Sequence, residues 1–244
     1  LVRVFNAMLE RLEGSFRQAT RFSADAAHEL KTPLTIVQGL LDEGIRREGL
    51  APDEEQRYRR MLDEVQRLKG ITQKLLTLSL ADAGRLRLER ETVDLSAMLR
   101  ETAEDIEILA PELTVTVRTE DGVIVEGDAG LLRQAIQNLV NNAIQYNVPN
   151  DRIWIQCRKD GATADVMISN TGPAIPEADR ERIFDRFHRA DAARGRETGG
   201  AGLGLSLVRE LIHAHGGTIA LKPDQEGVVS FLVRLPVKQG TASA

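Results

Sequence analysis

A seven-residue apolar repeat at the start of the chain limits its fold more than any other feature of the sequence. Phe5, Leu12, Ala19, Ala26, Pro33 and Leu40 stand seven apart, and Leu9, Phe16, Ser23, Leu30 and Val37 follow them at four residues, over nearly six heptads. Such spacing belongs to a helix whose apolar seam faces other helices. The segment GLAPD, Gly49 to Asp53, reads as a turn, and a second periodic run continues through Tyr58, Met61, Val65, Leu68, Leu75 and Leu78. Two antiparallel helices follow from that pattern. One partner helix leaves part of each stripe in water, so the expected assembly is a homodimer forming a symmetric four-helix bundle.

Pro33 lies within the first helix, where it removes a backbone donor and clashes with the preceding turn. A bend or loosening just after His28 is therefore expected. His28 belongs to neither apolar column and should point outward. Glu29 can accept a hydrogen bond from one ring nitrogen, making the other more basic and a better nucleophile. Thr32, at i+4 from His28, carries a hydroxyl able to orient a water beside a phosphorylated imidazole.

The stretch FSADAAHELKTPLTIV, Phe22 to Val37, resembles the H-box of the sensor histidine kinases. The resemblance implies that His28 accepts the γ-phosphoryl group of ATP, that Glu29 assists as base, and that Thr32 serves dephosphorylation of the partner. Upstream, VFNAMLERLE, Val4 to Glu13, resembles the end of the second helix of a HAMP linker, which in that family follows a membrane-spanning sensor.

Composition removes several competing classes. With 32 Lys+Arg against 37 Asp+Glu the formal charge is -5, and only 1 Trp, 2 Tyr and 6 Phe are present. The core must be built from Leu, Val, Ile and Ala, and rows of aromatics for stacking single-stranded bases are missing. The single Cys157 can form neither an intramolecular disulfide nor a multi-thiolate metal site. No apolar run reaches the roughly 18 to 20 residues of a membrane helix. Since the first residues already read as mid-helix, the expectation is the cytoplasmic portion of an inner-membrane sensor protein.

After Asp82-Ala83-Gly84 the heptads give way to short segments of mixed period. LRLERETVDL reads as extended, Leu95 to Ala110 as an amphipathic helix, and LTVTV and GVIVEGD as strands. Ala129 to Tyr146 reads as a helix, RIWIQC and ADVMISN as strands, Leu203 to His215 as a helix, and GTIAL and VSFLVRL as closing strands. Helices interspersed with hairpins predict an α+β sandwich rather than a doubly wound sheet.

Four blocks carry the chemistry of this second region. In RQAIQNLVNNAIQY, Asn138 and Asn142 stand one helical turn apart with Tyr146 a turn beyond, and neutral amide oxygens suit magnesium beside a triphosphate. SNTGPAIP, Ser169 to Pro176, ends a strand with Asn170 and Gly172, where backbone can approach a flat heterocycle. IFDRF, Ile183 to Phe187, anchors a stretch holding Arg180, Arg182, Arg186, Arg189, Arg194 and Arg196, the cations of a mobile lid. GGAGLGLSLV opens a helix with Gly200, Gly202, Leu203 and Gly204, aiming backbone N–H groups at phosphate oxygens. His213 and His215 read as the outer end of that helix, with no assigned role.

In order and spacing these blocks resemble the N, G1, F and G2 boxes of the Bergerat-type ATP-binding domain. Histidine kinases share that domain with gyrase-type topoisomerases, MutL and the heat-shock ATPases, and the H-box selects the kinase branch. The resemblance implies that Asn138 and Asn142 hold magnesium and the phosphates and that Tyr146 packs on the adenine side. It further implies that Arg189 approaches the γ-phosphate and that Gly202 and Gly204 line the lid hinge. Residues 1–16 then end a HAMP-like linker, 17–84 form the dimerisation and phosphotransfer hairpin, and 85–240 the catalytic domain. The cofactors implied are ATP and magnesium, the partners a second copy and the receiver domain of a response regulator.

Three positions depart from the family pattern. Asn170 replaces the usual Asp of the G1 box, and its side-chain oxygen still accepts a hydrogen bond from an adenine amine. Ala174 replaces a glycine, so a different loop is expected. Gln145 stands where Lys is common, removing a direct cation, for which an Arg of the lid would compensate. The Asn form of G1 also occurs in the heavy-metal-responsive branch. These departures suit a rival reading, a degenerate nucleotide-binding dimeric scaffold or phosphatase. A second rival, an ATPase coupled to conformational work, has no need of HELKTP and would require a base where Asn138 and Asn142 offer only amides.

Overall fold

The structure, a computed structural model, describes residues 26, 29–46, 50–148, 151–190, 201–223 and 227–237. His28, Gly200, the HAMP-like residues 1–16, Gly49 of the expected turn, Arg194 and Arg196 lie outside the described residues. Two compact units divide the chain between Leu86 and Arg87.

The first unit contains α1 (described over 29–45) and α2 (Pro52–Asp82), the expected hairpin. Pro33 sits within α1 without ending it. The second helix begins inside the expected turn, because a proline at the first helical position has no N–H to lose and a preset φ. Asp53, Glu54 and Glu55 complement the positive end of α2, and Glu54 accepts a hydrogen bond from the Ala51 N–H at 3.3 Å. Antiparallel pairing is fixed by Lys69 Nζ donating to Gln38 Oε1 at 2.6 Å. Nearer the connecting turn, a Cβ on Gly44 would lie 2.6 Å from the Tyr58 ring, so the ring occupies the space a side chain would need.

The outward face of α1 carries the sequence repeat. Leu41 is 9% exposed and Val65 8%, while Leu30, Val37 and Leu40 stay exposed, Leu40 to 62%. On α2 Met61 and Leu68 are exposed as well. Within one chain the hairpin therefore leaves an apolar stripe on each helix facing solvent.

In the second unit, β1 (Glu91–Asp94) pairs antiparallel with β3 (Ile124–Gly127). The main sheet has the order β2-β4-β5-β7-β6, with β2 (Thr114–Thr119) parallel to β4 (Arg152–Asp160). The remaining neighbours, β5 (Thr163–Thr171), β7 (Val228–Pro236) and β6 (Thr218–Leu221), pair antiparallel. Helices α3 (Leu95–Leu109), α4 (Ala129–Gln145) and α5 (Gly204–Ala214) pack against the sheet, α4 also against α5. This is the expected α+β sandwich. Asp94 and Asp128 cap α3 and α4 by accepting from the N–H groups of Ala97 and Leu131, each at 3.0 Å. The core is aliphatic: Ile153, Ile155, Val166 and Ile168 of the sheet meet Leu132, Leu139, Leu207 and Leu211 of the helices in full burial. Phe184 and Phe231 add an edge-to-face ring pair with centroids 6.3 Å apart.

Candidate nucleotide site

The four blocks converge where the C-terminal half of α4, the end of β5 and the start of α5 meet. Asn138 is 8% exposed on α4. Its Nδ2 donates to Gln134 O at 2.7 Å, and its Oδ1 lies 3.4 Å from where a Gly204 Cβ would stand. The first residue of α5 thus faces the first asparagine of α4. Leu203 precedes it as a buried cap residue with no side-chain cap hydrogen bond, an arrangement of the kind that suits an anionic ligand at the first turn of α5. Asn142, one turn along α4, is half-buried.

At the C-terminal end of α4, Tyr146 follows as the C-cap residue. Gly172 comes so close to it that a Cβ there would lie 2.6 Å from Tyr146 O and 3.0 Å from Asn170 Nδ2. Asn170, fully within β5 and buried, donates through Nδ2 to Thr171 O at 2.9 Å, which leaves its Oδ1 as the acceptor. Thr171 Oγ1 donates to Asn147 Oδ1 at 2.6 Å and accepts from the Arg152 N–H at 3.2 Å, while Val148 N donates to Thr171 O at 3.2 Å. These bonds stitch the exit of α4 to the end of β5. Asn147 and Thr171 were not singled out from sequence, since the contact that gives them a role spans distant segments.

Arg189 reaches the same region, its Nη2 lying 3.4 Å from the Tyr146 hydroxyl. Two left-handed residues set its approach. Phe187 has φ 61 and Gly202 φ 68, with Phe187 N donating to Gly202 O at 2.9 Å. A Cβ at Gly202 would lie 2.8 Å from the Phe187 carbonyl carbon, so only glycine fits. Ala174 has no positive φ, as expected for a loop that differs from the glycine form. Asp179 and His188 meet at 2.9 Å behind this turn.

Glu29 and Thr32 are both exposed on α1, a separate unit from the residues above. Cys157 is no nucleophile: burial first, then the nearby charges of Glu120, Asp94 and Asp165, push its thiol up to about 12. Among the described residues no group of three His, Cys, Asp or Glu could hold a metal ion. The amides of Asn138 and Asn142 offer neutral oxygen ligands of the kind magnesium takes beside phosphate, and Asn138 Oδ1 is turned toward the α5 terminus.

Residues 18–84 match the model of the His Kinase A (phospho-acceptor) domain. Residues 127–239 match that of the histidine kinase-, DNA gyrase B- and HSP90-like ATPase, which makes this the ATP-binding domain. The probable sensor protein PcoS of Escherichia coli is 41% identical over 231 residues, covering 95% of this chain and 49% of that protein. Sensor protein CzcS of Cupriavidus metallidurans is 35% identical over 244 residues, covering 100% of this chain and 51% of its own length. The chain thus spans about half the length of the curated relatives it matches. Among solved structures, the histidine kinase AdeS of Acinetobacter baumannii superposes with a TM-score of 0.65 at 27% identity, over 87% of this chain and 98% of that one. Full-length ShkA in complex with AMPPNP shares the fold, with a TM-score of 0.76 at 24% identity over 91% of this chain and 47% of that one.

Proposed function

We propose that this chain, which belongs to the sensor histidine kinases of two-component systems and carries their phosphoacceptor and ATPase domains, is an ATP-dependent autokinase acting on His28. A ring nitrogen of His28 takes the γ-phosphoryl group of ATP as the bond to the β-phosphate oxygen breaks and ADP leaves. The phosphoryl group then passes to an Asp carboxylate of a response regulator. Glu29 orients the imidazole and receives its proton. Thr32 positions water for hydrolysis of the regulator's acyl phosphate.

One observation above all supports the reading: Asn138 Oδ1 stands beside Gly204, the first residue of α5, at a helix N-terminus that no side chain caps. The N–H groups of that terminus bind phosphate oxygens, while Asn138 and Asn142 would hold magnesium, which when bound neutralises phosphate charge. Asn170 Oδ1 accepts from the adenine amine, Gly172 lets the end of β5 close on the Tyr146 carbonyl, and Tyr146 covers the ring. Arg189, beside Tyr146, meets the γ-phosphate, and Gly202 and Gly204 line the lid hinge. Catalysis is then mostly positioning and charge neutralisation.

The exposed Leu30, Val37, Leu40, Met61 and Leu68 support a homodimer through the hairpin, residues 17–84, with 85–240 as catalytic domain. No helix among the described residues is long and apolar enough to cross a membrane. Residues 1–16 would join the hairpin to a membrane sensor, consistent with relatives twice as long. The similarity to PcoS and CzcS favours the heavy-metal-responsive branch.

The test is incubation with magnesium and γ-labelled ATP beside His28→Gln and Asn142→Ala, scoring acid-labile, alkali-stable label. Label on the parent chain alone is expected. ATP binding without label on the parent chain would replace this reading with the scaffold or phosphatase.

A further inference from the structure

His215 was left without a role by sequence, yet it is one of the most buried polar residues of the ATP-binding unit, at 3% exposure. Its Nδ1 lies 2.7 Å from Leu211 O, a carbonyl of its own helix end, and must donate there. That fixes the tautomer, so Nε2 carries a lone pair, and it accepts from the Asp128 N–H at 2.9 Å. Asp128 is the cap of α4, and its Oδ2 also accepts from Glu89 N at 3.1 Å. Next to it a Cβ on Gly127 would stand 2.6 Å from His215 Cδ2, so the glycine is what lets the imidazole reach the cap. The C-terminal end of α5 is thereby tied to the N-terminal end of α4.

The opposite end of the same helix pair is the nucleotide site, where Gly204 faces Asn138. At 1.5 Å per residue, Gly204 to His215 spans about 16 Å along α5, and Asp128 to Asn138 about 15 Å along α4. Two antiparallel helices of matched span are thus registered at both ends. Apolar packing between the two helices, on which Leu207, Leu211, Leu132 and Leu139 are all buried, has no direction of its own and tolerates axial sliding better than a hydrogen bond does.

We infer that His215 is a positioning residue for nucleotide binding: by fastening α5 to the cap of α4 it sets the distance between the α5 N-terminus and Asn138. The inference rests on the reading that Gly204 and Asn138 border the phosphates. In the full chain, His215→Leu keeps bulk but offers Asp128 no acceptor, whereas the amide oxygen of His215→Gln can still accept. Affinity for a fluorescent ATP analogue with magnesium should fall about ten-fold in His215→Leu, a typical coupling between linked sites, and recover substantially in His215→Gln. Equal affinity in the parent chain and a folded His215→Leu would overturn the inference alone, since a purely stabilising histidine moves only the melting temperature. A parent chain that bound no analogue would overturn the phosphate reading beneath it as well. Should His215→Leu not fold, amide exchange in the parent chain decides. Linkage requires the nucleotide to slow exchange at Asp128 N more than at Ile155 N in the sheet core, and equal slowing at both would refute the pin.

Discussion

Replacing Gly172 by Ala tests how tightly the end of β5 is built against α4. The residue is buried and its φ is not left-handed, so alanine brings no backbone penalty and the effect is purely one of space. A new methyl would stand 2.6 Å from Tyr146 O and 3.0 Å from Asn170 Nδ2. Neither obstacle is a flexible chain end: one is backbone at the α4 C-cap, the other an amide held to Thr171 O at 2.9 Å. Relief requires the two segments to part by several tenths of an ångström, and overpacking of this order costs about 1–3 kcal/mol. Trp154, the single tryptophan, lies on β4 beside β5 and reports unfolding of this unit by itself, avoiding a two-state treatment of the whole chain. Urea unfolding followed by its fluorescence should show that loss. ATP affinity should drop by about ten-fold or more, because each 1.4 kcal/mol is a factor of ten and the displaced groups are those proposed to face adenine. A variant with unchanged midpoint and unchanged affinity would refute the steric reasoning.

Three further outcomes follow from the same geometry. Leu40→Glu places a charge on the exposed α1 stripe but away from Leu41, so sedimentation should show a dimer-to-monomer shift with helicity retained, and a persistent dimer would rule this stripe out as the interface. Asn170→Asp restores the family's usual residue but turns a donor into a second acceptor facing Thr171 O, so the nucleotide-free unit should lose about 1–3 kcal/mol in the Trp154 assay. Cys157 should resist thiol reagents at pH 8 until urea unfolds the unit; its thiol ionises near 9.0 when unfolded and only at about 12 when folded, so its contribution to stability is intact below pH 9 and lost as pH rises through that window.

The hairpin, the α+β order and the family are all legible in the sequence, because each rests on patterns within one segment: heptads, alternation, and the HELKTP and GAGLG strings. Which apolar edge of α1 turns inward is not. The repeat names Leu30, Val37 and Leu40, whereas the chain's own partner helix covers Leu41, one residue round the axis, since the best-marked seam is left for something outside the single chain. The residues proposed to face nucleotide, Asn138, Tyr146, Asn170, Gly172, Arg189 and Gly204, were nameable from the resemblance of their segments to the family's boxes, and the structure brings them to one region. Their supports were not. His215 with Asp128, and Asn147 with Thr171, act through bonds between segments 87 and 24 residues apart, and no local pattern encodes such a meeting. Phe187 is the same kind of case, a bulky residue held at positive φ by a carbonyl contributed fifteen positions later.

That last pairing bears on how this segment can vary among descendants. Gly202 cannot gain a side chain while the Phe187 backbone fills the space, and Phe187 stays in its left-handed conformation while its N–H is bound to Gly202 O. A substitution at 202 therefore meets two obstacles, the Phe187 backbone and its own left-handed φ of 68, and a change at 187 relieves only the first. The constraint is one-sided: position 187 can change its side chain while 202 stays glycine, whereas 202 is held by its neighbour and by its own backbone.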